Sequence, residues 1–348
     1  MRIKIVIGLL MSFVSWGVTA QIVEINLSVL TDELPVEITS ERIAVVIDEG
    51  SAWKATARLI HANFKQMGID AMLYLNYKEV HGGQDVMRKT LNLMDKRQIK
   101  WVIFIEQKTA KRTLTIAKFS KDHLVEVASK AWQVTGTTAI ETLLQLAVKM
   151  RTMDLSYSNY LIPELPEYLF KWSLFKGTQY PSYPSQVKKA PLAISLFSQI
   201  NMDGLTLNSE QMESLKAYNQ QVERNNEKMK ALFQDYPYKV VFMEDQTDEQ
   251  FFEKRYQFVL RYAYHQGDLL RELLGYRSEP TAINYVSTVA SQEHQAVKEI
   301  PKETYVFKFY IQQTISGDIY VGSAYDADHT WEEALNNFKT GMMKQFAK

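Results

Sequence analysis

The sequence predicts an α/β fold of two β-α-β-type domains, with α+β character in their meanders. Three observations predict it. Arg42–Asp48 (RIAVVID), Ala71–Tyr77 (AMLYLNY) and Trp101–Glu106 (WVIFIE) are short apolar runs of the kind that lie buried on both faces of a sheet. Segments of helical periodicity separate them. The order then recurs: RIAVVIDEGSAWKATARLIHANF and KVVFMEDQTDEQFFEKRYQFVL are each an apolar strand, an acidic turn and a helix. Each half ends in a hairpin, a Thr-x-x-Glu box and an amphipathic helix. Arg42 to Thr138 and Lys239 to Thr330 are of similar length, which suggests a distant duplication or two domains of one class.

Taken in order, residues 21–41 read as a lead-in strand and an acidic loop. Trp53, Ala57, Ile60 and Phe64 put a helix over 52–67, with Ser51 placed to cap its start and Gly68 its end. A second helix covers Asp85–Met94. Thr113–Phe119 and Leu124–Trp132 read as a hairpin across Ser120–His123, and Thr138–Glu141 opens a helix to Met150. Residues 155–206 hold five of the nine prolines and many aromatics, too many for a flexible linker, so they read as an ordered connector. Leu207–Asp235 is a polar helix with one apolar stripe. Lys239–Glu244 is a strand, and Asp248–Leu274 reads as a long aromatic helix ended by Gly275. Residues 280–300 fit no single pattern. Tyr305–Gln312 and Asp318–Ala324 form a hairpin across Ser316-Gly317, and Thr330 opens the final helix to Phe346. The expected organisation is a leader at 1–20, a first domain at 21–154, the connector at 155–206 and a second domain at 207–348.

Composition narrows the function. The chain has 348 residues, 40 basic and 40 acidic groups, and no cysteine. Disulfides, zinc knuckles, iron–sulfur ligation, a thiol nucleophile and a lipoprotein anchor are therefore excluded. The balanced charge points away from nucleic acid. Met1–Ala20 has a basic start (Arg2, Lys4), an apolar core from Ile5 to Trp16 and a small-residue end before Gln21, the pattern of a cleavable secretory signal. Cleavage would leave 38 basic against 40 acidic groups, a charge of −2. No later stretch is apolar enough to span a bilayer, so the expected location is periplasmic or extracellular.

The strands IAVVID and WVIFIE, the meander TLTIAKF and LVEVASKAW, and the capped helix TTAIETLLQLAVKM give residues 42–150 a pattern that resembles the β-α-β-α-β-β-β-α domain of the TolB N-terminal part and of CsgG-type envelope proteins. The resemblance covers about a third of the chain and carries over no functional residue. It implies a non-catalytic part of envelope assembly or secretion machinery.

Few residues offer chemistry. Ligands in open α/β sheets favour the carboxyl ends of strands, which singles out Asp48, Glu49 and Ser51. The connector aromatics Tyr168, Trp172, Tyr180 and Tyr183 fit a ligand or partner groove. Asp326, Asp328 and His329 form the one acidic–histidine cluster, suited to a divalent cation or simply to a helix N-terminus. Ser51-Ala52-Trp53-Lys54, Tyr157-Ser158-Asn159 and Lys339-Thr340-Gly341 match the three motifs of penicillin-recognising serine enzymes in order. Lys339-Thr340-Gly341, however, falls inside the last helix and not on a strand. There is no G-x-G-x-x-G, Walker loop or G-x-S-x-G, and no cofactor is called for.

The leading expectation is an exported, non-enzymatic cell-envelope protein acting through contacts with another envelope protein. The alternative is a two-lobed periplasmic protein that grips a small ligand in its cleft. An exported serine-type or metal-assisted hydrolase is the third class. A convex apolar patch would mark the first, an aromatic-lined cleft the second, and converging carboxylates or histidines the third.

Overall fold

A computed structural model describes residues 28–49, 52–108, 110–158, 162–168, 177–277, 284–290 and 295–347. The expected leader at 1–20, Ser51 and Trp172 lie outside the described residues. Among those described, no helix is long and apolar enough to cross a membrane.

The first half runs β1 (Val29–Thr31), a 3-10 turn (Val36–Thr39), β2 (Arg42–Asp48), α1 (Trp53–Met67), β3 (Asp70–Asn76), α2 (Tyr77–Val80), α3 (Gln84–Lys96), β4 (Ile99–Lys108), β5 (Lys111–Lys118), β6 (Lys130–Gly136), α4 (Ala139–Arg151) and the two-residue β7 (Glu167–Tyr168). The second half runs β8 (Gln179–Tyr180), a 3-10 turn (Ser185–Lys188), β9 (Leu192–Ser195), α5 (Ser209–Leu232), β10 (Val240–Met243), α6 (Asp248–Glu253), β11 (Phe258–Gln266), α7 (Gly267–Leu273), β12 (Asn284–Ala290), β13 (Gln295–Pro301), β14 (Tyr305–Gln313), β15 (Ile319–Tyr320) and α8 (Trp331–Phe346). The architecture is α/β in two lobes, each built on one mixed sheet.

The sheet orders are β1-β6-β5-β4-β2-β3-β7 and β10-β9-β11-β14-β15-β8, with β12-β13 a separate hairpin. Reading the second backwards from β8 reproduces the first from β1 to β3, strand for strand. The pairing senses agree as well. β1 and β8 run parallel to β6 and β15, the meanders β4-β5-β6 and β11-β14-β15 are antiparallel, and β2 and β9 each run parallel to both neighbours. The 3-10 turns follow Pro35 and Pro184, which occupy the same place before β2 and β9. The halves thus share one topology, but the correspondence differs from the sequence expectation. RIAVVID corresponds to β9 (LAIS), not to KVVFME, which is β10 and matches β3. The second half inserts α7 and the β12-β13 hairpin where β4 and β5 are joined by a short turn.

Burial explains why these runs become strands. Ile43, Val45 and Ile47 of β2 point to one face, under Trp53, Ile60 and Phe64 of α1 and Leu143, Leu146 and Met150 of α4. Ala44 and Val46 point to the other, under α2 and α3. In the second lobe Leu192, Ile194, Leu260 and Phe309 lie beneath Met229 of α5 and Trp331, Phe338 and Met342 of α8. Ala193 and Val259 meet Phe251 of α6. Gly68 ends α1 in the left-handed region at φ 75°.

Several sequence expectations are corrected. The expected strand Leu124–Trp132 is displaced: it pairs antiparallel with β5 as expected, but only from Lys130, as β6 (Lys130–Gly136). Ala128 sits at φ 64°, which no strand accommodates, and Leu124 and Val125 are a buried loop plug ahead of β6. The long helix over 248–274 does not form. Arg255 at φ 64° follows the six-residue α6, and FVLRYAYHQ is the strand β11, buried on both faces. Periodicity misled there because a doubly buried strand shows no alternation. The N-cap of α1 is Ala52, with no side-chain bond. Thr138 and Thr330 do cap α4 and α8, each accepting from the backbone N–H three residues on. Glu141 does not close a capping box but binds Thr137 instead. Within the ambiguous stretch, Asn284–Ala290 and Gln295–Pro301 pair antiparallel as β12 and β13. Within the expected connector, β7 joins the first sheet, whereas β8 and β9 belong to the second.

Two neighbours on α4 test this packing. Leu146 is fully buried and Leu144 is 60% exposed. Leu146→Ala should cost about 2–5 kcal/mol and Leu144→Ala less than about 0.5 kcal/mol, read as the shift in urea unfolding free energy.

Candidate functional site

Two places compete for function: the junction where the carboxyl ends of the parallel strands meet, and the outer face of α4. The junction is built from loops that follow β3, β9 and β10. β9 stops at Ser195 while β11 continues to Gln266, which leaves an edge of β11 unpaired by β9. The Gly82-Gly83 turn of the first lobe takes that edge: Tyr264 N–H donates to Gly82 O at 2.9 Å. Gly83 has φ 138°, and a Cβ there would collide with the Tyr262 carbonyl oxygen, so only glycine permits the approach. Gln84 Nε2 adds a bond to Leu196 O at 3.0 Å.

This contact brings the first turn of α3 onto a charged cluster in the second lobe. Arg261 of β11, whose side chain is 2% exposed, donates to Asp245, to Asp248 Oδ1 at 3.0 Å, to Gln246 O at 3.1 Å and to Ser195 Oγ at 3.3 Å. Its guanidinium lies 5.2 Å from the centre of the Phe251 ring. Arg88 of the first lobe binds Asp85, Asp245 and Gln246 O. Lys89 Nζ binds Asp85 Oδ2 at 2.6 Å, and Gln312 Nε2 donates to Asp248 Oδ2 at 3.1 Å. Asp85, Asp245 and Asp248 are matched by Arg88, Lys89 and Arg261, so the cluster is neutral without a ligand. Burial tends to raise the Asp85 carboxyl, but the charges of Arg261, Lys89 and Arg88 outweigh it and hold Asp85 below the usual carboxylate range.

The described residues among those expected to form a site do not converge. Asp48 ends β2, and Glu49 binds Arg112 at 2.6 Å. Tyr168 packs edge-on to Trp53 at 5.6 Å and belongs to the first core. Tyr180 stacks on Tyr320 at 5.0 Å at the far edge of the second sheet. Tyr183 is buried against Phe338, its hydroxyl 3.5 Å from Asp326 and its backbone bonded on both sides by Gln345. These aromatics line no common groove. Asp326 pairs with the fully buried Lys308 at 2.7 Å, and Asp328 pairs with Lys298 at 2.6 Å. Each carboxylate thus carries a lysine where a cation would sit, and among the described residues no three metal-ligating side chains come together. Lys339 lies within α8, not on a strand, and binds Asp235 at 2.7 Å. An open groove of about 660 Å³ beside α1 is lined by Arg58, His61, Lys65 and Glu164. Of these, Lys65 binds Glu164, and His61 bridges Tyr74 and Pro163 O at 3.1 and 2.9 Å.

The second place is the outer face of α4. Ile140, Leu144 and Val148 recur every four residues and are 54%, 60% and 61% exposed. Beside them a groove of about 650 Å³ is floored by Trp132 and Val134 of β6 and walled by Glu141, Gln145, Lys149 and Thr152. Val29 of β1 lies on the same sheet face and is 39% exposed. The twin helix supplies a control. Aligned on their N-caps Thr138 and Thr330, α4 and α8 bury matching positions: Leu143 and Leu335, Leu146 and Phe338, Met150 and Met342. At the positions of Ile140, Leu144 and Val148, α8 carries Glu332, Asn336 and Thr340. Sequence reading missed this stripe because it took α4 as a generic amphipathic helix; the apolar residues at 140, 144 and 148 beside those at 143, 146 and 150 were the available signal.

No protein-family model matches the chain, and no curated protein matches it.

Two outcomes follow for the junction. Arg261→Ala would leave Asp245 and Asp248 without their buried cation and should destabilise the protein by about 3–5 kcal/mol in urea unfolding. The depressed Asp85 contributes stability in full above about pH 4, and this is lost as pH falls through its own lower value. Amides of residues 258–266 and 82–90 should lose hydrogen-exchange protection together in that acid range, and Asp85→Asn should abolish this pH dependence.

Proposed function

We propose that this chain is an exported, non-enzymatic cell-envelope protein that acts through protein–protein contacts. The observation that carries this reading is the exposed apolar stripe of α4, set against its polar counterpart on α8. The shared topology needs residues 143, 146 and 150 to be apolar, as their twins are. It does not need 140, 144 and 148 to be. An apolar row beside an apolar groove favours burial against a partner, since removing such side chains from water is worth about 25 cal/mol per Å². The leader pattern of Met1–Ala20 and the resemblance of residues 42–150 to envelope-protein domains support the location. The small-ligand alternative wants an open cleft between lobes, whereas the carboxyl ends of β9 and β10 are filled by the Arg261 cluster.

The test is a photo-crosslinking amino acid at position 144 of the full chain, expressed with its leader and fractionated. The expected result is an exported, processed chain that gives one discrete protein adduct from position 144 and none from position 336 on α8. A chain that stays in the cytoplasm with its leader intact, or the absence of any adduct at 144, would overturn the reading.

A further inference from the structure

The pattern along α4 points to one occupant. Next to Ile140, Leu144 and Val148 runs a second row, also spaced by four, of Glu141, Gln145 and Lys149. Both rows have their middle at 144–145. When a second α4 is laid antiparallel across the first, Leu144 meets its own copy and Ile140 meets Val148. In the adjoining row Gln145 meets Gln145, while Glu141 meets Lys149 at both ends. A parallel arrangement would instead put the two 141–145–149 rows on opposite sides of the seam, where Glu141 meets no Lys149. The acid–amide–base order is thus self-complementary in one direction alone, as a two-fold interface requires. Glu141 is available for this contact: its two bonds to Thr137 both fall on Oε2. The twin helix lacks the device, with Glu333, Asn337 and Gly341 in the same row.

We infer that α4 is the seat of a two-fold homodimer, in which the Ile140–Leu144–Val148 stripes of two copies pack antiparallel, flanked by Glu141–Lys149 pairs between subunits. The adjoining groove on Trp132 and Val134 receives side chains from the partner's helix end, and Val29 extends the covered face. This inference rests on the reading of α4 as a contact surface and names the partner as a second copy of this chain.

The experiment is light scattering of the leader-free chain, residues 21–348, over a dilution series, with circular dichroism of every variant. The wild type is expected to be a dimer that dissociates on dilution, and Leu144→Asp a folded monomer. Glu141→Lys alone sets Lys against Lys149, and Lys149→Glu alone sets Glu against Glu141. Each should weaken the dimer by about tenfold or more, because two like-charged contacts form per dimer, and the double reversal should restore it. The charge variants are on the surface and keep the test valid should Leu144→Asp fail to fold. A chain that is monomeric at every concentration overturns the dimer, as does a dimer indifferent to both single reversals or not restored by the double one. A crosslink from position 144 to a different protein would overturn the dimer while leaving the contact reading in place. A dimer formed by a chain that is never exported would do the reverse.

Discussion

The buried guanidinium of Arg261 is the constraint around which the two lobes are arranged. An arginine taken out of water in the middle of a sheet is tolerable only when its charge and its donors are met. Asp245 and Asp248 meet it from within the second lobe. They create an excess of negative charge, which Arg88 and Lys89 balance from the first lobe, with Asp85 bridging the two cations. Neither lobe alone has a satisfied cluster. The Gly82-Gly83 turn has to approach β11 closely for α3 to deliver these groups, which is why position 83 admits no side chain. Docking the lobes and neutralising Arg261 are one event.

That event has a consequence for function. In parallel-stranded α/β sheets the carboxyl ends of the strands are the usual place for a ligand. Here those ends of β9 and β10 face the first lobe and are filled by side chains whose charges already cancel. The other buried ion pair, Lys308–Asp326, is likewise closed: Lys308 also donates to the carbonyls of Phe309 and Val321 at 2.8 Å, and it fastens the segment after β15 to the sheet. Burial raises the Asp326 carboxyl, and Lys308 acts against that rise. Among the described residues, both of these buried charge clusters therefore hold the architecture together.

How much of this could be read in the chain depended on what each signal reports. Strands β2, β3 and β4 were legible because β-branched and apolar residues run without interruption, and α4 and α8 because Thr138 and Thr330 announce their starts. β11 was not legible. FVLRYAYHQ is buried on both faces and contains Arg261, so no alternation marks it, and its arginine makes sense only beside the carboxylates of Asp245, Asp248 and Asp85, which the sequence does not place next to it. The repeat was visible, but one β-α unit out of phase. LAIS is four residues long and sits in the Pro-rich stretch that reads as a connector, so the more apolar KVVFME took its place. Asp326, Asp328 and Tyr183 looked like ligands because a sequence shows carboxylates and aromatics and does not show the lysines and carbonyls that engage them.

The paired topology turns a single chain into its own comparison. Positions that are apolar in both α4 and α8 are those that face a sheet, and their identity follows from packing: Leu143 with Leu335, Leu146 with Phe338, Met150 with Met342. Positions that differ in character between the twins are not dictated by the packing that the two lobes share. On α8 the outward row is polar, and Glu332 at its start binds Lys228 of α5 at 3.3 Å. On α4 the same row is apolar and open to solvent. A helix face held in water has no folding reason to be apolar, and its counterpart shows that the architecture accepts polar residues there. Packing within the chain thus does not account for the apolar character of Ile140, Leu144 and Val148, each of which is more than half exposed.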